Sequence, residues 1–498
     1  MRLEDYLNKF FHFNTFRPGQ KEVITSILDG FHTMAMLPTG TGKSLCYQLS
    51  GYLRKGQVLI ISPLLSLMQD QVEQMKMNGE KNVVAINSFL TGVERKQVLN
   101  SLERYKFIFI SPETLLNDGM IDLLRKLDIT LFVIDEAHCI SQWGYDFRPD
   151  YLKLGDVRLK LGQPLTLALT ATATTEVIHD IIDSLQLDHC EKHLFSVDRP
   201  NIALTVKKSE NLQGKWKQLY DFVLQLEGPG IVYFSSKKMA EQASNYLQNK
   251  GLSRVMAYHG GMDQESRILI QQQFLHNQLD IICATSAFGM GINKENIRFV
   301  IHFHMPQQME SYLQEIGRAG RDGKSSVAVL LYSPGDEQLA YQLAESEIPS
   351  SDQLDWLSTV IQTTNQDSLL NHEFQDELKK LGGFTDIQWR VLSDFLLLQY
   401  SETEEISHSF LRFMHELEKR RMMKRSKVAS MKNWVQSTSC RRDQILLYFD
   451  EEINRTKPEY CCDYCTFDQE VFYQSSNKNQ FPVEFSWKQR LADILLNK

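Results

Sequence analysis

An apolar run of strand length, Met34–Leu37, passes directly into Pro38-Thr39-Gly40-Thr41-Gly42-Lys43-Ser44 and then into an apolar stretch of helical character. Few arrangements accept that order. Gly40 and Gly42 let successive backbone N–H groups turn toward one point, and a helix starting there adds its positive end, so the segment suits a phosphate. Lys43 would reach the β- and γ-phosphates of a nucleoside triphosphate, and the Ser44 hydroxyl would hold Mg2+. Thr39 and Thr41 fill the remainder of the loop. The first glycine of the general phosphate-loop pattern is Leu37 here, so the assignment needs a second half of a site elsewhere in the chain.

The loop sits in a chain that alternates strand-like and helical segments. Met34–Leu37, Val58–Ile61, Phe107–Ile110, Leu131–Ile134 and Leu165–Leu169 are short apolar runs ending in polar or turn-forming residues. Continuous apolar runs of this kind are buried parallel strands joined by crossover helices. The pattern restarts after Arg199-Pro200-Asn201 with Ile231–Phe234, Arg254–Ala257, Asp280–Ala284, Phe299–Phe303 and Val327–Leu331, separated by helical stretches such as Lys238–Lys250 and Gln264–His276. Beyond Gly335 the alternation ends. Asp352–Tyr400 and Ser409–Met423 are helical in period, and the end of the chain has one helical stretch, Trp487–Leu496. The expected fold is therefore α/β, with two tandem parallel-sheet domains over residues 1–205 and 206–345. A helical, cysteine-rich module over 346–470 and a short tail over 471–498 follow. A chain of 498 residues accommodates about three domains.

The second half of the site is expected at Asp135-Glu136-Ala137-His138, which ends the run Leu131–Ile134. An acidic pair at the carboxyl end of a buried strand lies where open α/β sheets bind ligands. Asp135 can hold Mg2+, directly or through water, and Glu136 can orient and deprotonate an attacking water. In the second domain, Gln314-Glu315-Ile316-Gly317-Arg318-Ala319-Gly320-Arg321-Asp322 places Arg318 and Arg321 at i and i+3, on one helical face. They could meet the γ-phosphate across a cleft between the domains, so that ATP binding closes the cleft and hydrolysis releases it.

These residues resemble the superfamily 2 helicases, and within them the RecQ family of DNA helicases, whose two motor domains are RecA-like. Phe13-Asn14-Thr15-Phe16-Arg17-Pro18-Gly19-Gln20 is similar to the family's adenine-recognition motif, which implies that Gln20 bonds the adenine edge while Phe13 and Arg17 pack on the ring. The stretch Asp135 to Pro149 joins the acidic motif to a loop with Trp143, Tyr145, Phe147 and Arg148. By resemblance this loop couples single-stranded DNA to ATP hydrolysis, and Trp143, Phe147 and Arg148 are suited to stacking on bases. Ser62-Pro63-Leu64 with Gln69-Asp70-Gln71, Leu169–Thr174, Tyr258–Gly261 and Ala284–Asn293 resemble further motifs of the same family, in the family's order.

Four of the eight cysteines lie between Cys440 and Cys465. Cys462 and Cys465 form C-x2-C, a spacing that suits Zn2+, and Cys440 and Cys461 could complete the shell. Either both adjacent cysteines bind or one stays free and another group replaces it. The cluster resembles the zinc module of RecQ proteins. The net charge of −8 argues against a protein that merely coats nucleic acid, but Arg412–Arg442 holds ten basic residues against Glu416 and Glu418. Such a stretch is either a phosphate-binding face or a solvated helix. The 33 residues after Cys465 are too few for the winged-helix domain usual in the family, which points to a short form similar to the RecS-like proteins of some bacteria.

The resulting expectation is an ATP-, Mg2+- and Zn2+-dependent DNA helicase. The resemblance implies 3′-to-5′ movement on single strands of tailed duplex DNA, a role in repair or recombination, and single-strand-binding or recombination proteins as partners. The alternatives are an RNA helicase of the DEAD-box class and an ATP-switched annealing clamp. Neither a signal peptide nor a membrane-spanning stretch is evident in the sequence, so a cytoplasmic, nucleoid-associated protein is expected. The sequence does not specify an oligomeric state.

Overall fold

A computed structural model of the chain describes residues 2–87, 90–141, 148–289, 294–364, 371–389, 391–392, 406–453 and 456–474. The expected pair of parallel sheets is present. The first contains β1 (Thr33–Met36), β2 (Gln57–Ile61), β3 (Val83–Ile86), β4 (Phe107–Ile110), β5 (Ile129–Ile134), β6 (Thr166–Thr170) and β7 (Glu191–Leu194), in the order β3-β4-β2-β5-β6-β1-β7. The second contains β8 (Ile202–Lys208), β9 (Gly230–Tyr233), β10 (Val255–Tyr258), β11 (Ile281–Ala284), β12 (Phe299–His302) and β13 (Ser326–Tyr332), in the order β10-β11-β9-β12-β13-β8.

Helices cover both faces of each sheet, which is why the central strands are apolar throughout. Along β2, Leu59 and Ile61 enter one core while Val58 and Ile60 enter the other. β8 spans residue 205 and pairs in register with β13 from Ser326–Ile202 to Tyr332–Lys208. The expected boundary at 205/206 thus falls inside a strand of the second sheet, and the connection between the sheets is the short segment 195–201. Among the described residues no helix is long and apolar enough to cross a membrane.

The C-terminal module is built on a single 31-residue helix, Ile406–Gln436. Its basic residues are spent inside the molecule. Lys424 pairs with Glu347, Arg425 with Glu345, Lys427 with Glu310, Lys432 with Glu337 and Arg421 with Glu418. Arg441 and Arg442, just beyond it, pair with Asp463 and Asp198. The phosphate-binding reading of this stretch is therefore corrected: most of its cations bind acids of the chain itself, most of them in the second domain and the helix after it. The expected helix at Trp487–Leu496 lies outside the described residues.

Candidate nucleotide cleft and cysteine centre

Each half of the cleft is positioned by a strand end. β1 delivers the phosphate loop, with Gly40 at φ +88° and Gly42 at φ +75°, and helix Ser44–Leu53 starts at once. The Thr41 hydroxyl closes the loop by donating to the Pro38 carbonyl at 2.7 Å. β5 delivers Asp135 and Glu136. Glu136 lies at φ +50°, a costly conformation for a residue other than glycine. Its carboxylate is buried, and one oxygen sits 3.5 Å from His138 Nδ1. The Thr170 hydroxyl donates to the Thr172 carbonyl at 3.1 Å and lies 2.9 Å from His138 Nδ1, so it must accept a proton from that nitrogen. His138 is thereby fixed to the strand end Thr170–Thr172 beside Glu136, whose Oε2 is buried without a hydrogen-bond partner among the described residues.

Lys43, Ser44, Asp135 and Glu136 face Arg318 and Arg321 across one cleft of about 520 Å3, which is also lined by Phe13, Arg17, Gln20, Thr39, Gly40 and Gly42. That volume suits a small-molecule site, for which about 300–1,000 Å3 is usual. Thr41 is the one expected loop residue that does not line it. The domains are close here. A Cβ built on Gly40 would come within 2.9 Å of the Arg321 side chain, and one on Gly317 within 2.8 Å of Thr39. Arg318 is buried and donates to the Gly289 carbonyl. Burial, with Arg318 and Arg199 alongside, pulls Arg321 down to about 9. Cations gathered in this way form a site for an anion. Asp135 is held above the usual carboxylate range by burial and by Glu136, although Lys43 opposes the shift.

The adenine-motif residues line the same cleft. Phe13 is 54% exposed, which leaves its ring available to a partner. Gln20 donates to the carbonyls of Thr41 at 2.7 Å and Gly42 at 3.1 Å, so it supports the phosphate loop directly. Arg17 donates to the Gly40 carbonyl and pairs with Glu295 of the second domain at 3.6 Å. Arg148 lies apart from the cleft and donates to the Pro63 carbonyl at 2.8 Å. Trp143 and Phe147 lie outside the described residues.

The four cysteines converge. Cys440, Cys461, Cys462 and Cys465 hold their sulfur atoms within 4.8 Å of one another, with Cys440–Cys461 at 3.8 Å and Cys440–Cys462 at 3.9 Å. A tetrahedral zinc with Zn–S bonds of about 2.3 Å needs sulfurs about 3.8 Å apart, so the donor set fits. Both adjacent cysteines are in reach, and no substitute ligand is needed. The knuckle is stitched to β8 by Leu204 N–H to Cys461 O at 3.2 Å and Asp463 N–H to Leu204 O at 2.9 Å.

Arg199 is the residue that sequence reasoning passed over. Its guanidinium donates to the carbonyls of Thr39 at 2.7 Å, Gly317 at 3.0 Å, Ala319 at 3.1 Å and Gly320 at 2.8 Å. In the sequence it marks only a turn, because its partners are main-chain groups that leave no trace in side-chain chemistry.

Three family models match the chain: DEAD/DEAH box helicase over residues 17–181, helicase conserved C-terminal domain over 214–323, and RecQ zinc-binding over 401–466. The chain is 45% identical to the probable ATP-dependent DNA helicase RecS of Bacillus subtilis over 495 residues, covering 99% of this chain and 98% of that one. It is 43% identical to the ATP-dependent DNA helicase RecQ of Haemophilus influenzae over 333 residues, 66% of this chain and 53% of that one. Among solved structures it is similar to the Mycobacterium smegmatis helicase Lhr bound to ssDNA and AMP-PNP, with a TM-score of 0.55 and 19% identity over 79% of this chain and 57% of that one. That likeness concerns the fold.

Proposed function

Since this chain belongs to the RecQ family of DNA helicases, we propose that it is an ATP-dependent DNA helicase that moves 3′ to 5′ along single strands and unwinds tailed duplexes. The observation that carries the reading is the cleft between the domains, where Lys43, Asp135 and Glu136 of one face Arg318 and Arg321 of the other. In this reading Lys43 and the loop amides hold the β- and γ-phosphates, while Ser44 and Asp135 hold Mg2+. Glu136 takes the proton of the attacking water, and its buried Oε2, without a hydrogen-bond partner among the described residues, is left open to accept it. Arg318 and Arg321 neutralise charge on the transferring phosphoryl group, which is most of what such a reaction requires. Phe13, Arg17 and Gln20 receive the adenine, and Gln20 reports its presence to the loop carbonyls it holds.

Trp143, Phe147 and Arg148 serve as the DNA-coupling loop. Arg148 steadies the segment at Pro63 that would run along the strand. Zinc on Cys440, Cys461, Cys462 and Cys465 supplies cross-linking only, fixing the knuckle against β8. Repair or recombination of DNA is the cellular setting, with single-strand-binding or recombination proteins as partners and the nucleoid as location.

Strand displacement on 3′-tailed, 5′-tailed and RNA duplexes tests the reading, with Lys43→Ala as the control. Unwinding should require ATP, a 3′ tail and DNA, and Lys43→Ala should lose DNA-stimulated hydrolysis by at least about 100-fold, as removal of a phosphate-contacting group does. Preference for RNA, or full hydrolysis in the variant, would overturn it.

A further inference from the structure

The segment joining the two motor domains is gripped from both sides. In front, Arg199 spans the domain junction: one nitrogen bridges Thr39 O in the phosphate loop and Gly317 O in the arginine-bearing segment, and the other holds Ala319 O and Gly320 O. The carbonyls come from both halves of the nucleotide cleft, and Arg321 lies against Gly40 at that junction. From behind, the cysteine module holds the same segment. Arg442 is buried and donates to the Asp198 carboxylate, to Arg199 O at 3.2 Å, to Ile202 O at 2.6 Å and to Cys461 O at 3.4 Å. Glu451 accepts from the Ser196 hydroxyl at 2.5 Å and from Val197 N–H at 2.8 Å.

From this arrangement we infer that Arg199 is a positioning residue for ATP hydrolysis, set by Arg442 of the cysteine module. It touches carbonyls, not the substrate, and its effect is on geometry. A guanidinium is a planar fork whose donors are fixed relative to one another, so it can hold two pairs of carbonyls at set spacings. By holding Thr39 and Gly317–Gly320 together, Arg199 fixes the approach of Arg321 to the phosphate loop. Among the described residues no carboxylate forms an ion pair with this guanidinium, and Asp198, next in the chain, pairs with Arg442. Its position is therefore set by the carbonyl cage and by the backbone that Arg442 anchors. A change in the cysteine module would reach the nucleotide by this route, without contact between the two sites.

The inference rests on the ATP reading of the cleft, and Lys43→Ala separates the two. If that control keeps its activity, the reading of the cleft fails. If it is dead while Arg199 variants are normal, only the present inference fails. The test measures hydrolysis at saturating single-stranded DNA, affinity for a fluorescent non-hydrolysable ATP analogue, and melting temperature, in the full-length protein with zinc bound. Lysine at 199 keeps the charge but cannot reproduce the fork. For Arg199→Lys we expect kcat to fall by about 10-fold or more, with analogue affinity within about 3-fold, because geometry at the transition state is lost while ground-state binding is kept. Arg442→Lys, in the other module, should give the same split at smaller size. The double variant should lose less than the product of the two single losses, since both act through one linkage. Unchanged kcat in Arg199→Lys overturns the proposal. So does a loss of kcat matched by loss of analogue binding and melting temperature, which marks a purely structural residue. Multiplicative losses in the double variant overturn the role given to Arg442.

Discussion

Asp135 occupies a position that is unfavourable until the site is filled. Its carboxyl is half-buried on the cleft wall beside Glu136 and is held above the usual range mainly by loss of solvation there. Between the ordinary carboxylate value and the raised one, the folded chain keeps a proton that the unfolded chain releases. The stability this confers is full below the ordinary value and is lost as pH rises through the raised one. Asparagine has no such dependence. In the absence of Mg2+ and nucleotide, Asp135→Asn should therefore melt above the wild type at pH 8 by roughly 3–6 °C, equivalent to about 1–2 kcal/mol. The gap should close near pH 4. A thermal-shift series over that range checks it, and a constant or inverted gap would contradict the burial argument. The strained backbone of Glu136 belongs with this: both residues of the acidic pair hold unfavourable positions on the wall of one cleft.

At the scale of elements, the central strands were legible because burial on both faces leaves them apolar throughout. Of the edge strands, β10 was read as Arg254–Ala257, whereas β3, β7 and β8 were not. β7 is Glu191–Leu194, polar and largely exposed, and its membership in the sheet comes only from pairing with β1. β8 straddles the expected domain boundary because local sequence does not say which sheet a strand joins; that is settled by its seven-residue pairing with β13. The phosphate loop, the acidic pair, the two arginines and the cysteines were all readable, since each is a fixed residue type at a fixed spacing. Arg199 was not, because carbonyl partners have no such signature.

The knuckle at Cys461–Cys465 covers the exposed edge of β8, so metal loss should be felt in the second sheet as well as locally. Purified protein should hold one zinc per chain. Removing it should lower the melting temperature by about 10 °C or more, as expected when a structural site worth several kcal/mol is lost. Metal analysis paired with calorimetry checks this. A zinc-free chain with unchanged melting would refute the assignment.

The whole molecule is more integrated than its sequence suggests. One buried cluster runs from β2 and β5 of the first domain, through β9 and β12 of the second, to Trp434, Cys440 and Cys461. The basic helix Ile406–Gln436 is a strut against acids of the second domain, including the buried pair Lys427–Glu310 at 3.0 Å. Local charge counting mistook it for a phosphate-binding face because the acids that neutralise it lie about 80 to 120 positions away in the chain. What remains free to do work is the cleft between the two sheets. The most direct test of that view is single-turnover hydrolysis of pre-bound ATP by Arg321→Ala in the presence of single-stranded DNA. The account predicts that the nucleotide still binds while hydrolysis slows by about 1,000-fold or more, the effect of removing an arginine supplied across an interface. Hydrolysis at the wild-type rate would show that the second domain does not act on the phosphates held by the first.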